Sequence, residues 1–132
     1  MQSAKDLVAN NENFSGALAF DENLNLLDST YGSVSQEDLQ KFIKIFQNDD
    51  DAFSSGFVLN GNSYELHRIY SNQTPALAYG RKVPEALNDG ILYGEGIGLA
   101  RNQNNRYAVI TFDYPCTTTR AIPVLINYVE KL

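Results

Sequence analysis

A chain of 132 residues, 43% hydrophobic and 20% charged, is long enough for one packed domain and too short for two, and its composition excludes a disordered polymer. A net charge of −6 argues against a nucleic-acid binder, which presents a basic face, and no apolar run reaches the roughly 20 residues that cross a bilayer. Cys116 is the only cysteine, which excludes an internal disulfide, and the start Met1-Gln2-Ser3-Ala4-Lys5-Asp6 has no apolar export core, so a cytoplasmic protein is expected.

Ser3 reads as the cap of a short helix over residues 3–11, with Leu7 and Val8 turned inward. Ser15 to Phe20 and Leu24 to Ser29 read as two strands joined by the polar turn Asp21-Glu22-Asn23. Ser35, with Asp38 three residues on, opens the clearest helix. Its Leu39, Phe42, Ile43 and Phe46 fall at i, i+3, i+4 and i+7, one apolar stripe that lies on a sheet. The run Asp49-Asp50-Asp51 reads as a solvated loop.

Beyond it the period changes to two. Gly56 to Leu59 and Ser63 to Ile69 flank Asn60-Gly61, a pair that tolerates positive φ at both positions and so predicts a tight hairpin. Ala76 to Arg81, Ile97 to Arg101 and Tyr107 to Phe112 are further strands, the last rich in β-branched and aromatic residues. From Arg120 to Lys131 the chain reads as a helix. Ile122, Leu125, Val129 and Leu132 form one stripe, Ala121, Val124 and Tyr128 a second, and Pro123 is expected near the first turn, where it removes no hydrogen bond. The order α-β-β-α-β-β-β-β-β-α, with short connections, predicts a single α+β domain over residues 1–132. Its sheet is a mainly antiparallel meander flanked by N-terminal, middle and C-terminal helices, with the end helices on one face of the sheet or on both.

Charge is unevenly spread. Residues 1–60 hold ten acids and three bases, whereas residues 61–132 hold six acids and seven bases, including Arg68, Arg81, Arg101, Arg106 and Arg120. A basic surface on an acidic protein suits docking of an acidic partner.

From residue 53 onward the sequence resembles the profilin family. Ser55 to Arg68 is similar to that family's Asn-Gly hairpin, whose second strand ends on a basic residue, and Ala78-Tyr79-Gly80-Arg81-Lys82 to its next strand. Gly96 to Arg101, Tyr107 to Pro115 and the final helix follow in the family's order. The resemblance implies a profilin-like fold and an actin-monomer-binding protein that regulates polymerisation, in the cytoplasm and cytoskeleton, with no cofactor, no metal and no enzymatic activity. Profilins bind actin through late strands and the outer side of the last helix. By position this implies Leu66, Arg68, Arg81 and Arg101 on the strands, and Thr118, Thr119, Arg120 and Pro123 at the helix start. Anionic inositol lipids are a weaker partner by the same resemblance, disfavoured here by the net charge.

Three departures mark a divergent member, with archaeal type as the expectation. The chain has no tryptophan, and residues 1–13 contain no aromatic, whereas profilins stack proline-rich peptides on aromatics of their first and last helices. Tyr128 alone is left, so polyproline ligands are not expected. Val83 to Glu95 reads as an insertion, and the last helix ends at Leu132 without a tail.

Other chemistry is set aside. His67 and Cys116 have no spacing that suggests a nucleophile and base, and one of each cannot build a zinc site. The three aspartates lack the alternating ligands of a calcium loop, and Gly94-Glu95-Gly96-Ile97-Gly98 precedes a strand and lacks the Lys-Ser/Thr of a phosphate loop. A roadblock-like or longin-like scaffold has a similar element order and pairs its sheets or helices into dimers. A monomer is the expectation here.

Overall fold

The structure, a computed structural model, describes residues 2–82 and 94–132. The insertion read over residues 83–95 lies outside them except for Gly94 and Glu95. In chain order the elements are α1 (Ala4–Ala9), β1 (Phe14–Asp21), β2 (Leu26–Ser29), α2 (Gln36–Ile45), α3 (Asp49–Ser55), β3 (Phe57–Leu59), β4 (Asn62–Tyr70), β5 (Ala76–Arg81), β6 (Gly96–Arg101), β7 (Arg106–Phe112) and α4 (Thr118–Glu130). Seven strands form one antiparallel sheet in the order β2-β1-β7-β6-β5-β4-β3. The fold is α+β, as the element order predicts.

Strand alternation sends side chains to two separate cores. On one face Leu18, Phe20, Leu99, Tyr107 and Val109 meet Leu39, Phe42 and Ile45 of α2. On the other, Ala17, Ala19, Ala100, Ala108 and Ile110 meet Leu7 of α1 and Ala121, Leu125, Tyr128 and Val129 of α4. The end helices therefore share one face. That face carries small strand residues, so α4 sits close: a Cβ added at Gly98 would stand 3.0 Å from Leu125 Cδ2.

Local chemistry fixes the elements. The Ser3, Ser35 and Thr117 side chains accept from the backbone N–H groups of Asp6, Asp38 and Arg120, capping α1, α2 and α4. Asp38 does more than follow its cap: its buried carboxylate accepts the Asn60 N–H at 2.9 Å and ties α2 to the β3–β4 turn. That turn has φ of 49° at Asn60 and 83° at Gly61, as the hairpin requires.

Two expectations need correction. The three aspartates are not a loop but the first turn of α3, where Asn48 accepts from Asp51 N at 3.1 Å and carboxylates face the positive end of the helix dipole. Pro123 is the sixth residue of α4, far enough in to remove a helical hydrogen bond, because the helix begins at Thr118 and not near Arg120. The carbonyl that loses its donor belongs to exposed Thr119, where water can replace it.

Candidate interaction face

The α1/α4 face of the sheet runs past α4 onto β4 and β5, and there it is open. The register of β4 decides what it carries. Tyr64 and Leu66 point to the α2 core, but a bulge between Leu66 and Arg68 breaks the alternation. Arg68 then pairs with Tyr79, and Tyr70 with Leu77, while Ile69 packs on the α2 side. The bulge thus turns Arg68 and Tyr70 toward α4.

Tyr70 and Tyr79 stand side by side with ring centroids 6.3 Å apart. With Gln73, Leu77, Thr118, Thr119, Ile122 and Pro123 they line a groove of about 340 Å³ between β4–β5 and the start of α4. Burial and the neighbouring Tyr70 hydroxyl raise the Tyr79 pKa, so its ring presents a neutral phenol. Arg68 lies near Tyr79 of the groove, and Arg81 and Arg120 lie near Cys116, just before α4. None of these three arginines forms an ion pair with a described carboxylate.

The three differ in freedom. Arg68 is exposed and reaches only the adjacent His67 carbonyl, at 3.2 Å. Arg120 is exposed on the first turn of α4. Arg81 is half-buried: its guanidinium lies over the Phe112 ring and donates to the Gly94 carbonyl at 2.8 Å.

Of the residues expected at an interface, Arg68, Arg81, Thr118, Thr119, Arg120 and Pro123 come to the α4 side of the sheet, where Thr118, Thr119 and Pro123 line the groove. Leu66 and Arg101 do not. Leu66 is buried in the α2-side core because it precedes the bulge. Arg101 stacks over Phe46 at 5.2 Å, on the same far side of the sheet. Sequence reading missed Tyr70, Gln73 and Ile122. Tyr70 lies two residues beyond Arg68, a signal that strict alternation from Leu66 would have sent to the wrong face.

The rejected nucleophile pair is placed apart in character. His67 is exposed beside Glu65, at 3.6 Å. Cys116 is buried, and burial holds its thiol above the ordinary range against the pull of Arg120 and Arg81, the reverse of what a nucleophile needs. Among the described residues no three His, Cys, Asp or Glu side chains cluster as metal ligands, and no helix is long and apolar enough to cross a membrane.

No family model and no curated protein matches the chain, and the expected archaeal type finds no support. Among solved structures the chain is similar to profilin II of Acanthamoeba castellanii, with a TM-score of 0.66 and 16% identity over 99% of this chain and 92% of that one. At that identity the likeness concerns architecture: the fold is profilin-like.

Proposed function

We propose that this protein binds the actin monomer and slows its polymerisation, acting as a binding protein and not as an enzyme, in the cytoplasm with the cytoskeleton. The observation that carries the reading is the open groove between Tyr70, Tyr79 and the start of α4, flanked by arginines that no described carboxylate neutralises. Aromatic rings and arginines are the side chains that concentrate binding energy in protein interfaces, and guanidinium groups fork onto carboxylates with two hydrogen bonds. The groove lies on late strands and the last helix, the surface the profilin resemblance implies, and the profilin-like fold supports the same reading.

Blocking the surface of a monomer keeps it from joining a filament. Pyrene-actin assembly with the cognate actin is expected to slow in proportion to added protein, and Arg68→Glu to weaken the effect by about 30-fold in affinity, the weight of one central contact of ~2 kcal/mol. Unchanged assembly at excess protein removes the proposal. A stable dimer in solution that buries the groove would instead favour the scaffold reading.

A further inference from the structure

The geometry points to Glu95 as a positioning residue that holds Arg81 toward the partner-facing side of the sheet; this rests on the actin-binding reading only for the use made of Arg81. Glu95 sits just before β6, at the end of the sheet where both faces are within reach. Its side chain works on the α2 face. There it accepts a hydrogen bond from the Tyr64 hydroxyl of β4, and another from Ser15 Oγ of β1 at 3.1 Å. Those strands are separated in the sheet by β7, β6 and β5, so one carboxylate spans the width of the curl. The same Ser15 hydroxyl lies 2.8 Å from Thr111 Oγ1, which also bonds the Tyr31 hydroxyl. Glu95 is thereby anchored to β1, β4 and β7.

Its backbone works in the plane of the sheet, between β5 and β6. The Glu95 carbonyl accepts the Lys82 N–H at 2.8 Å, which locks it beside the end of β5. The peptide unit leading into Glu95 carries the Gly94 carbonyl that Arg81 Nη1 meets at 2.8 Å. Gly96 completes the seat: a Cβ there would stand 2.3 Å from the Phe112 ring, so glycine is what lets that ring lie beneath the guanidinium. Among the described residues the acceptor of Arg81 is the Gly94 carbonyl, and the side chain anchored next to it is that of Glu95. A guanidinium already ordered loses less entropy when it forks onto a partner carboxylate.

The test reads Arg81 without any partner. In nitrogen-15 spectra of the whole chain, the Arg81 Nη–H signals, which include the donor to the Gly94 carbonyl, should exchange with water slowly and those of exposed Arg68 faster. Glu95→Ala should raise the Arg81 rate by about tenfold, the scale of one lost hydrogen bond. Glu95→Gln keeps an acceptor oxygen at the same reach and should restore most of the protection. Should Glu95→Ala fail to fold, Tyr64→Phe removes one anchor of the carboxylate while keeping the ring, and the same acceleration is expected. An Arg81 signal that stays protected in Glu95→Ala, or in Tyr64→Phe, overturns the inference. Loss of actin binding by the wild type would sink the proposed function and leave this measurement standing.

Discussion

The Arg81 guanidinium lies 5.5 Å from the centroid of the Phe112 ring, on the opposite side of the chain from the Tyr64–Glu95 bond that steadies its end of the sheet. Arg81 is therefore both a candidate contact and part of the fold, whereas Arg68 is only the former.

Charge reversal should separate the two. Arg81→Glu loses a cation–π contact and a hydrogen bond and brings a carboxylate to the end of the sheet that already holds Glu95. Together these are expected to cost about 1–2 kcal/mol of stability. Arg68→Glu should stay within about 0.5 kcal/mol of wild type, because an exposed strand charge contributes little to folding. Urea denaturation of both variants checks this. Equal costs would mean that the seat on Phe112 does not hold Arg81.

Alkaline pH should unfold the protein cooperatively. Burial raises the pKa of Tyr31, Tyr64 and Tyr128, that of Tyr128 to about 12, from an ordinary value of 10.0. The folded state then keeps protons that the unfolded chain releases. Stability is intact below the unfolded value and falls as pH rises through it, by up to about 1.4 kcal/mol per pH unit for each buried tyrosine. Of the eight tyrosines, these three should ionise only with loss of the near-ultraviolet dichroism. Smooth ionisation of all eight near pH 10 in a folded protein contradicts the burial described here.

Tyr128 offers a second, cheaper test of the same core. Its hydroxyl is buried and has no hydrogen-bond partner among the described residues. An unsatisfied buried hydroxyl costs about 1–3 kcal/mol, so Tyr128→Phe should be neutral or stabilising by about 1 kcal/mol. A destabilised variant would reveal a partner for the hydroxyl, such as a buried water.

The sequence made the elements legible where local chemistry and hydrophobic period agree. Ser35 with the Leu39–Phe42–Phe46 stripe, Asn60-Gly61 and the run from Tyr107 to Phe112 are each specified within a dozen residues. The aspartate run misled because its helix is set by Asn48, a cap that carries no apolar stripe behind it. The face of the site was half legible. Arg68 was found by its place in a strand, but Leu66 was assigned to the same side, since alternation is all that a sequence offers. The bulge after Leu66 is a property of how β4 meets β5, where a Cβ on Gly80 would stand 1.7 Å from the Glu65 carbonyl. Arg101 failed for the plainer reason that a lone strand does not say which of two buried faces its last residue takes.

Polyproline recognition is expected to be absent. A proline-rich peptide presents three residues per turn and no backbone donor, so it is held by flat aromatic faces spaced along its ridges. In α1 the inward residue is Leu7, fully buried, with Val8 half-buried beside it and no ring in reach of solvent. In α4 the one aromatic is Tyr128, only 2% exposed and packed against the sheet, so it offers no face to a ligand. Each missing ring removes a rigid contact that hydrogen bonding to proline cannot replace. Titration of a decaproline peptide, followed by calorimetry or NMR, should give no saturable binding tighter than about millimolar, roughly 4 kcal/mol. Micromolar saturation with shifts centred on α1 and α4 would mean that this face opens to expose Tyr128, and Tyr128→Ala would then abolish it. Saturation with shifts at Tyr70 and Tyr79 would place the peptide in the groove by the start of α4, in competition with actin.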